Sequence, residues 1–322
     1  MKTSLVIPLK NESRTLKRLL SSISAQTRLP DEVVFVDAGS SDDTRAIVET
    51  FADNRFKTCL VKAGEVNPGT ARNLGAEKAA HEILAFTDGG IELDKDWLME
   101  LSGTMERSPD TDVVYGHYTP RTDTLFRECL ALAMMQPLVM VGGRRMRIRS
   151  IASSLMKRSV WRSAGGFPGW RAGEDRAFME AVDRGNFKID YNPAAVMVWD
   201  IPGDLHGMLK RFSSYSYHNA ASGRTAGWHK PVLRMYIAAL VLTMLGIFVS
   251  PAFFIALALF AALRTSKKVF AGRHETFFRS RRIPAYLVIT GGLMLFIDMA
   301  MFVGWAGYMV RRQEVLRRKG PA

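Results

Sequence analysis

Two acidic residues sit in the same local setting. In ILAFTDGGIELDKDWL, residues 83 to 98, an apolar run ends at Asp88 and is followed by Gly89 and Gly90; in VVFVDAGSS the run 33 to 36 leads straight into Asp37 and a turn of small residues. A short apolar run closed by a turn signal reads as a buried strand, so both acids belong at the carboxyl ends of strands. In open α/β sheets ligands bind at that edge, and a carboxylate there suits a divalent cation holding phosphates. A turn-forming aspartate accounts for Asp88 taken alone equally well.

Two further segments carry charge at helix starts. In NPGTARNLGAEKAA, Pro68 and Gly69 precede a helix with Arg72 and Asn73 in an early turn. Free amides at a helix start together with a guanidinium make a pyrophosphate-binding group, although a solvated surface arginine fits the same pattern. In GEDRAF, residues 173 to 178, Gly173 opens a helix with Glu174 and Asp175 in its first turn. The helix dipole favours negative charge there, which is also why acids at helix starts are ordinary.

The elements that must position these groups alternate. SLVI, residues 4 to 7, reads as a strand stopping at Pro8; Ser13 reads as the N-cap of a helix with Leu16, Leu19, Leu20 and Ile23 at helical spacing, ending before Leu29 and Pro30. The strand before Asp37, a helix containing Ala46, Ile47 and Phe51, and a strand TCLV at 58 to 61 follow. Strands and helices in alternation with short connections imply an α/β fold with a mostly parallel central sheet.

The ordered set VIPLKNE, VDAGSSDDT, GTARNLGA and FTDGG, continued by SAGGFPGWRAGEDRAFMEAVDRGNFKIDYNPAAVMVWD at 163 to 200, resembles a family 2 glycosyltransferase. The resemblance covers about residues 2 to 215. It implies a GT-A nucleotide-sugar-binding, Rossmann-like domain and an inverting transferase taking a UDP- or GDP-sugar. By position it implies donor contacts from Pro8, Glu12, Asp37, Arg72 and Asp88, a Mg²⁺ or Mn²⁺ ion on Asp88, and Asp175 of the Glu174–Asp175 pair as catalytic base. Two departures stand out: Ala38 where relatives often carry a second acid, and Gly90 where the second acid of the metal motif usually stands. Either Asp88 holds the ion with diphosphate and water, or Glu92 or another acid reaches in, or metal dependence is weak.

Composition divides the 322 residues. Residues 1–204 read as the globular domain, 205–230 as an amphipathic interfacial linker with Leu205, Met208, Leu209 and Phe212 on its apolar face, and 231–322 as a membrane region. In that region 264–282 reads as a basic cytoplasmic loop, and because the first domain is expected on the same side, 232–263 reads as a hairpin turning at Ser250 and Pro251 in preference to one long tilted helix; 283–310 reads as one further span or a second hairpin before a basic tail. Asp298 lies inside the last apolar segment, where it either pairs with a basic group, lines an acceptor path or packs on another helix. His206, His218 and His229 read as interfacial or surface residues.

The amino terminus has one basic residue and a five-residue apolar run, short of a signal peptide, so the first domain is expected in the cytoplasm. Cys59 and Cys129 show neither disulfide nor zinc spacing, which fits a reducing compartment. The net charge of +13 concentrates around the carboxyl-terminal apolar segments, and no nucleic-acid-binding signature accompanies it; anionic lipid is the expected partner. The arginines of RRMRIRS, residues 144 to 150, suit either the phosphate of a lipid-linked acceptor or a solvated amphipathic surface, and Trp161 reads as a packing residue. The expectation is therefore a multi-pass inner-membrane glycosyltransferase with a lipid-linked or membrane-associated acceptor. A polyprenyl-phosphate glycosyltransferase and an inactive scaffold with a degenerate GT-A domain are the rival readings.

Overall fold

The computed structural model describes residues 1–51, 53–147 and 149–318. The chain forms two units, one comprising Met1–Arg121 with Leu138–Asp200 and the other Thr122–Pro137 with Ile201–Ala322.

In chain order the first unit begins with β1 (Thr3–Leu9), α1 (Leu16–Ser24), β2 (Glu32–Asp37), α2 (Thr44–Thr50), β3 (Lys57–Lys62) and α3 (Pro68–Lys78). It continues with β4 (Ile83–Phe86), β5 (Ile91–Leu93), α4 (Trp97–Arg107) and β6 (Val113–Pro120). After α5 (Leu125–Met134), which belongs to the second unit, come a hairpin of β7 (Val139–Val141) and β8 (Arg144–Met146), then β9 (Ser154–Lys157), α6 (Arg158–Ser163), α7 (Glu174–Arg184) and β10 (Ile189–Trp199). Eight strands form one sheet in the order β3-β2-β1-β4-β9-β6-β10-β5. Strands β3, β2, β1 and β4 pair in parallel, as do β6 and β10, while β9 runs against both its neighbours and β5 against β10. The sheet is therefore mostly parallel, and β1, β2, β4, β6 and β10 all end at the same edge.

Both faces of this sheet are covered, the arrangement that parallel strands require. Along β1 the side chains alternate: Leu5, Ile7 and Leu9 join Leu16, Leu19 and Ile23 of α1 in one core, and Val6 joins Val34, Val36 and α3's Ala71 and Ala76 in the other. α3 lies so near the sheet that a Cβ at Gly75 would overlap Val6. Arg158, 4% exposed, closes the other end of α3 by donating to the Ala76, Ala79 and His81 carbonyls at 2.6 Å each. A guanidinium there satisfies carbonyls that the helix leaves open and opposes its negative pole.

Phe51, expected inside the second helix, is the extended residue just past α2, which ends at Thr50. Two further boundaries differ from the sequence expectation for reasons local to β1 and α1. β1 runs through Pro8, which is in register with Val36. Val6 O accepts from Thr87 N, so the even-numbered residues of β1 turn their backbone toward β4. Pro8 faces the same way beyond the last residue of β4, where no ladder bond is lost by its missing N–H. The N-cap of α1 is Thr15, not Ser13, because residues 13 to 15 turn on hydrogen bonds to Glu12 O and Asp42.

The second unit is helical: α5, α8 (Leu205–Ala221), α9 (Thr225–Trp228), α10 (Lys230–Phe248), α11 (Ala252–Ala271) and α12 (Ile283–Arg318). Two of its stretches, Lys230–Phe248 and Ser280–Arg312, are long and apolar enough to cross a membrane. α10 and α11 are separated at 249–251, around the expected turn, and pack where a Cβ at Gly246 would meet the Phe254 ring at 2.8 Å. The last segment is one uninterrupted helix, which excludes a second hairpin there.

Asp298, 3% exposed, accepts from Arg264 at 2.6 and 3.0 Å and from Tyr236 Oη at 3.0 Å, so the pairing alternative holds and the ionic group ties α10, α11 and α12 together. α8 buries Met208 and Phe212 but leaves Leu205 exposed, and it crosses α12 so closely that a Cβ at Gly304 would overlap Ser213 O. His229 is not at the surface as expected: it is 2% exposed, stacked on Trp305 and 2.7 Å from Ser216 Oγ.

Candidate active site at the carboxyl edge of the sheet

Three loops leave neighbouring strands at the shared edge. The loops after β1 and β2 are laced together: Asn11 N donates to Ser40 Oγ (3.0 Å), Ser41 N to Asn11 Oδ1 (2.8 Å), Glu12 N to Thr44 Oγ1 (2.7 Å) and Ser13 N to Asp42 Oδ2 (3.1 Å). Asn11 adopts a left-handed conformation, φ 57°, which asparagine tolerates better than most residues. Pro8 lies one residue before the end of β1, at the mouth of these loops.

Asp37 is the last residue of β2 and only 1% exposed. Its carboxylate accepts from Ser40 N at 3.1 Å and from Arg45 Nη2 at 2.8 Å. Burial alone would push this carboxyl up, but the Ser40 and Arg45 hydrogen bonds hold it below the ordinary aspartate value.

On the other side of β1, Glu12 rests on the turn after β4. Its Oε2 accepts from Thr15 Oγ1 at 2.6 Å, and a Cβ at Gly89 would stand 2.6 Å from Glu12 Cγ. Gly89 is thus required by this close approach. Gly90, where a second acid was missed in the sequence, faces the same carboxylate: a Cβ there would lie 3.7 Å from Glu12 Oε2.

Arg72 is the centre of the site and is not a solvated surface arginine. It is 5% exposed, donating from Nη2 to Asp88 Oδ1 at 2.7 Å and from Nη1 to Glu174 Oε1 at 2.9 Å, with its Cζ 5.6 Å from the centroid of Phe167. Desolvation disfavours the guanidinium charge, but Asp88, Glu174 and Asp175 together hold its pKa above the ordinary arginine value. Glu174 is 6% exposed; burial pushes its carboxyl up, Arg72 opposes this and the charge of Asp175 adds to it. Asp175 is half-buried, one residue further into α7, with its Oδ1 accepting from Arg176 N at 2.7 Å. One guanidinium therefore joins the end of β4 to the start of α7.

The segment leading to Asp175 is fixed by α3. Asn73 Oδ1 accepts from Trp161 Nε1 (2.9 Å) and Phe167 N (2.8 Å), while its Nδ2 donates to Phe167 O (2.8 Å). Asn67 Nδ2 donates to Gly169 O at 2.9 Å, and Gly69 leaves room for Pro168 O, which a Cβ would overlap. Phe167 stacks on Phe178 of α7, centroids 4.1 Å apart, and meets Phe86 of β4 edge-on at 5.5 Å. Gly173 then takes φ 77° to start the helix. Trp161 is a buried packing residue, as expected, with its indole N–H satisfied. Sequence reasoning missed the anchoring by Asn73 and the partner of Asp37, Arg45; the only available signal was their place beside residues already singled out.

The donor set offered to a divalent cation is narrow. Asp88, with its side chain 38% exposed, presents hard carboxylate oxygen, while Glu92 does not reach in because its carboxylate is bonded to Arg121. Among the described residues no group of three or more acidic, histidine or cysteine side chains is arranged to hold a metal. The residues fit Mg²⁺ or Mn²⁺ only as a single-carboxylate site completed by ligand oxygens and water, a mode magnesium commonly adopts.

Residues 4–159 match the profile of the family described as "Glycosyl transferase family 2". Over 124 residues the chain is 33% identical to validoxylamine A glucosyltransferase of Streptomyces hygroscopicus subsp. limoneus, covering 37% of this chain and 27% of that protein. Over 94 residues it is 31% identical to the GalNAc(5)-diNAcBac-PP-undecaprenol beta-1,3-glucosyltransferase of Campylobacter jejuni, covering 29% of this chain and 30% of the other. The chain thus spans less than a third of the length of these relatives. Among solved structures it is similar to the mannosyltransferase PcManGT from Pyrobaculum calidifontis in complex with GDP-Man and Mn²⁺, with a TM-score of 0.59 at 20% identity over 91% of this chain and 87% of that one. The first unit has the GT-A fold, followed by a helical carboxyl-terminal region.

Proposed function

We propose, from a family 2 glycosyltransferase domain at residues 4–159, that this protein is a membrane-anchored inverting glycosyltransferase. It takes a UDP- or GDP-sugar and transfers the sugar to a lipid-linked or membrane-associated acceptor. The observation that carries this reading is the buried Arg72, hydrogen-bonded at once to Asp88 of the β4 edge and Glu174 of α7. Two chain-distant acids and the neighbouring Asp175 are thereby gathered at the edge where α/β sheets bind ligands.

In this reading the loops around Pro8, Glu12 and Asp37 hold the nucleoside, Asp37 being kept ionised by Arg45 and Ser40. Asp175 accepts the proton of the acceptor hydroxyl as its oxygen bonds to the anomeric carbon. The bond from that carbon to the donor phosphate breaks, and its electron pair leaves with the nucleoside diphosphate. Arg72 meets the charge developing on the leaving phosphate, and Glu174 keeps Arg72 and the start of α7 in place. A divalent cation held by Asp88 would supply further positive charge to the diphosphate. A single displacement inverts the anomeric centre, so an α-linked donor yields a β-linked product. Anchoring is assigned to α10 and α12, with α10 and α11 as a pair that crosses and returns, the catalytic unit being cytoplasmic.

The test uses the full chain in detergent with UDP- and GDP-sugars and a membrane extract as acceptor, with and without Mn²⁺. Asp175→Asn is expected to lower transfer by roughly 10²–10⁴-fold, the usual scale for a lost general base, while donor binding by thermal shift persists. Transfer surviving at near-parental rate removes Asp175 from the base role and favours a phosphate acceptor, which needs less of a base. Absence of nucleotide-sugar binding in the parent protein rejects the enzyme reading. Retention of anomeric configuration rejects the single displacement.

A further inference from the structure

The proposed site leaves one exposed element of the first unit without a role, the hairpin β7–β8. Val139 is 40% and Met140 58% exposed, and Arg144 and Arg145 are exposed as well. Met140 pairs directly with Arg145 across the hairpin and Val141 with Arg144, so apolar and cationic side chains alternate over the same few ångströms. The turn is Gly142–Gly143, both with positive φ (55° and 77°), which twists the two strands tightly and keeps the tip narrow. Neither Arg144 nor Arg145 has an ion-pair partner among the described residues. The whole sequence between Glu128 and Glu174 contains no acidic residue. The hairpin follows within two residues the segment Thr122–Pro137, which folds with the helices of the second unit.

We propose that the hairpin Val139–Met146 docks by its Gly142–Gly143 tip on the anionic surface of the bilayer, Met140 entering the headgroup layer and Arg144 and Arg145, on opposite faces of the hairpin, engaging lipid phosphates. The proposal rests on the membrane-anchored reading. An acid-free cationic stretch selects an anionic partner, and exposed methionine and valine beside it select one with an apolar interior close behind its charges. An acidic protein supplies the charge without that interior. In a chain with two stretches able to cross a membrane, the bilayer is the partner that supplies both.

The experiment places an environment-sensitive fluorophore at Met140→Cys in the full chain, with Cys59→Ser to remove the half-buried thiol; Cys129 is buried. The protein is reconstituted in nanodiscs of phosphatidylcholine with increasing phosphatidylglycerol, half of them carrying a quencher in the upper acyl chain. Emission is expected to shift to the blue and be quenched as the anionic fraction rises, and to reverse with added salt. Arg144→Gln with Arg145→Gln is expected to lower the docked-to-undocked ratio roughly thirty-fold, taking about 1 kcal/mol per arginine near an anionic surface. Water-like, unquenched emission from protein that co-purifies with nanodiscs overturns the hairpin proposal and leaves an acidic protein as its partner. Protein that fails to enter nanodiscs at all instead overturns the membrane-anchored reading, so the two failures are told apart.

Discussion

Replacing Arg72 by alanine tests the centre of the site through stability alone, with no substrate required. The guanidinium is 5% exposed and its partner Glu174 6% exposed, so removal leaves one fully buried carboxylate without its counter-charge. Breaking a buried pair in this way costs about 3–5 kcal/mol. Asp88, with its side chain 38% exposed, is resolvated by water and adds little, which places the expected loss near the lower end, about 3 kcal/mol. For a unit of about 150–250 residues this lowers Tm by roughly 6–12 °C.

The pH dependence gives the mechanism a second handle. Burial raises the Glu174 carboxyl above its unfolded value, so its contribution to stability is fully present below the unfolded pKa and is lost as pH rises through the folded one. Arg72 opposes that rise; without it the folded value moves higher still and more stability is lost by neutrality. The deficit of Arg72→Ala relative to the parent should therefore widen between about pH 4.3, the ordinary glutamate value, and pH 7. Adding Glu174→Gln should recover much of the loss at pH 7. Thermal unfolding across that range is the assay. A deficit under about 1 kcal/mol at pH 7, or one that does not change with pH, refutes the picture of Arg72 as the neutralising centre of a buried acid pair.

Three other outcomes follow from named contacts. Arg45→Ala should move the acid-unfolding midpoint to higher pH: Asp37 is held below its ordinary value, so its stabilising contribution is lost as pH falls through the folded pKa, and weakening that depression brings the loss to less acidic pH. Acid titration followed by circular dichroism reads this directly, and an unmoved midpoint removes Arg45 from the account. Arg264→Ala should destabilise the second unit by about 3–5 kcal/mol by stranding Asp298 among apolar helices, whereas Arg264→Ala with Asp298→Leu should recover most of it, measured as retained monodispersity and Tm in detergent. Gly69→Ala, which meets Pro168 O, should displace the segment leading to Asp175 and lower kcat far more than it weakens donor binding; equal effects on both would place the disturbance at the nucleoside instead.

The sequence alone determined the alternation of strands and helices, the acids at strand ends and the apolar carboxyl-terminal stretches. These are local matters: period-two and helical apolar patterns, glycine turns and helix-start charges act over a few residues and read the same in any context. It also supplied the candidates Asp88, Arg72 and the adjacent Glu174 and Asp175, though in three separate segments. The tertiary structure decided what they do to one another. That Arg72 is buried rather than solvated depends on α3 lying against the sheet beside β4 and α7, more than a hundred residues downstream of it, and nothing within the motif GTARNLG encodes that distance. The same holds for Pro8 inside β1, tolerated because β4 stops first, for Glu92 drawn off by Arg121, and for Asp298 meeting Arg264. Charge pairing and burial are properties of residues far apart in the chain, since the desolvation that gives a buried ion its energetic weight exists only once the surrounding elements have packed.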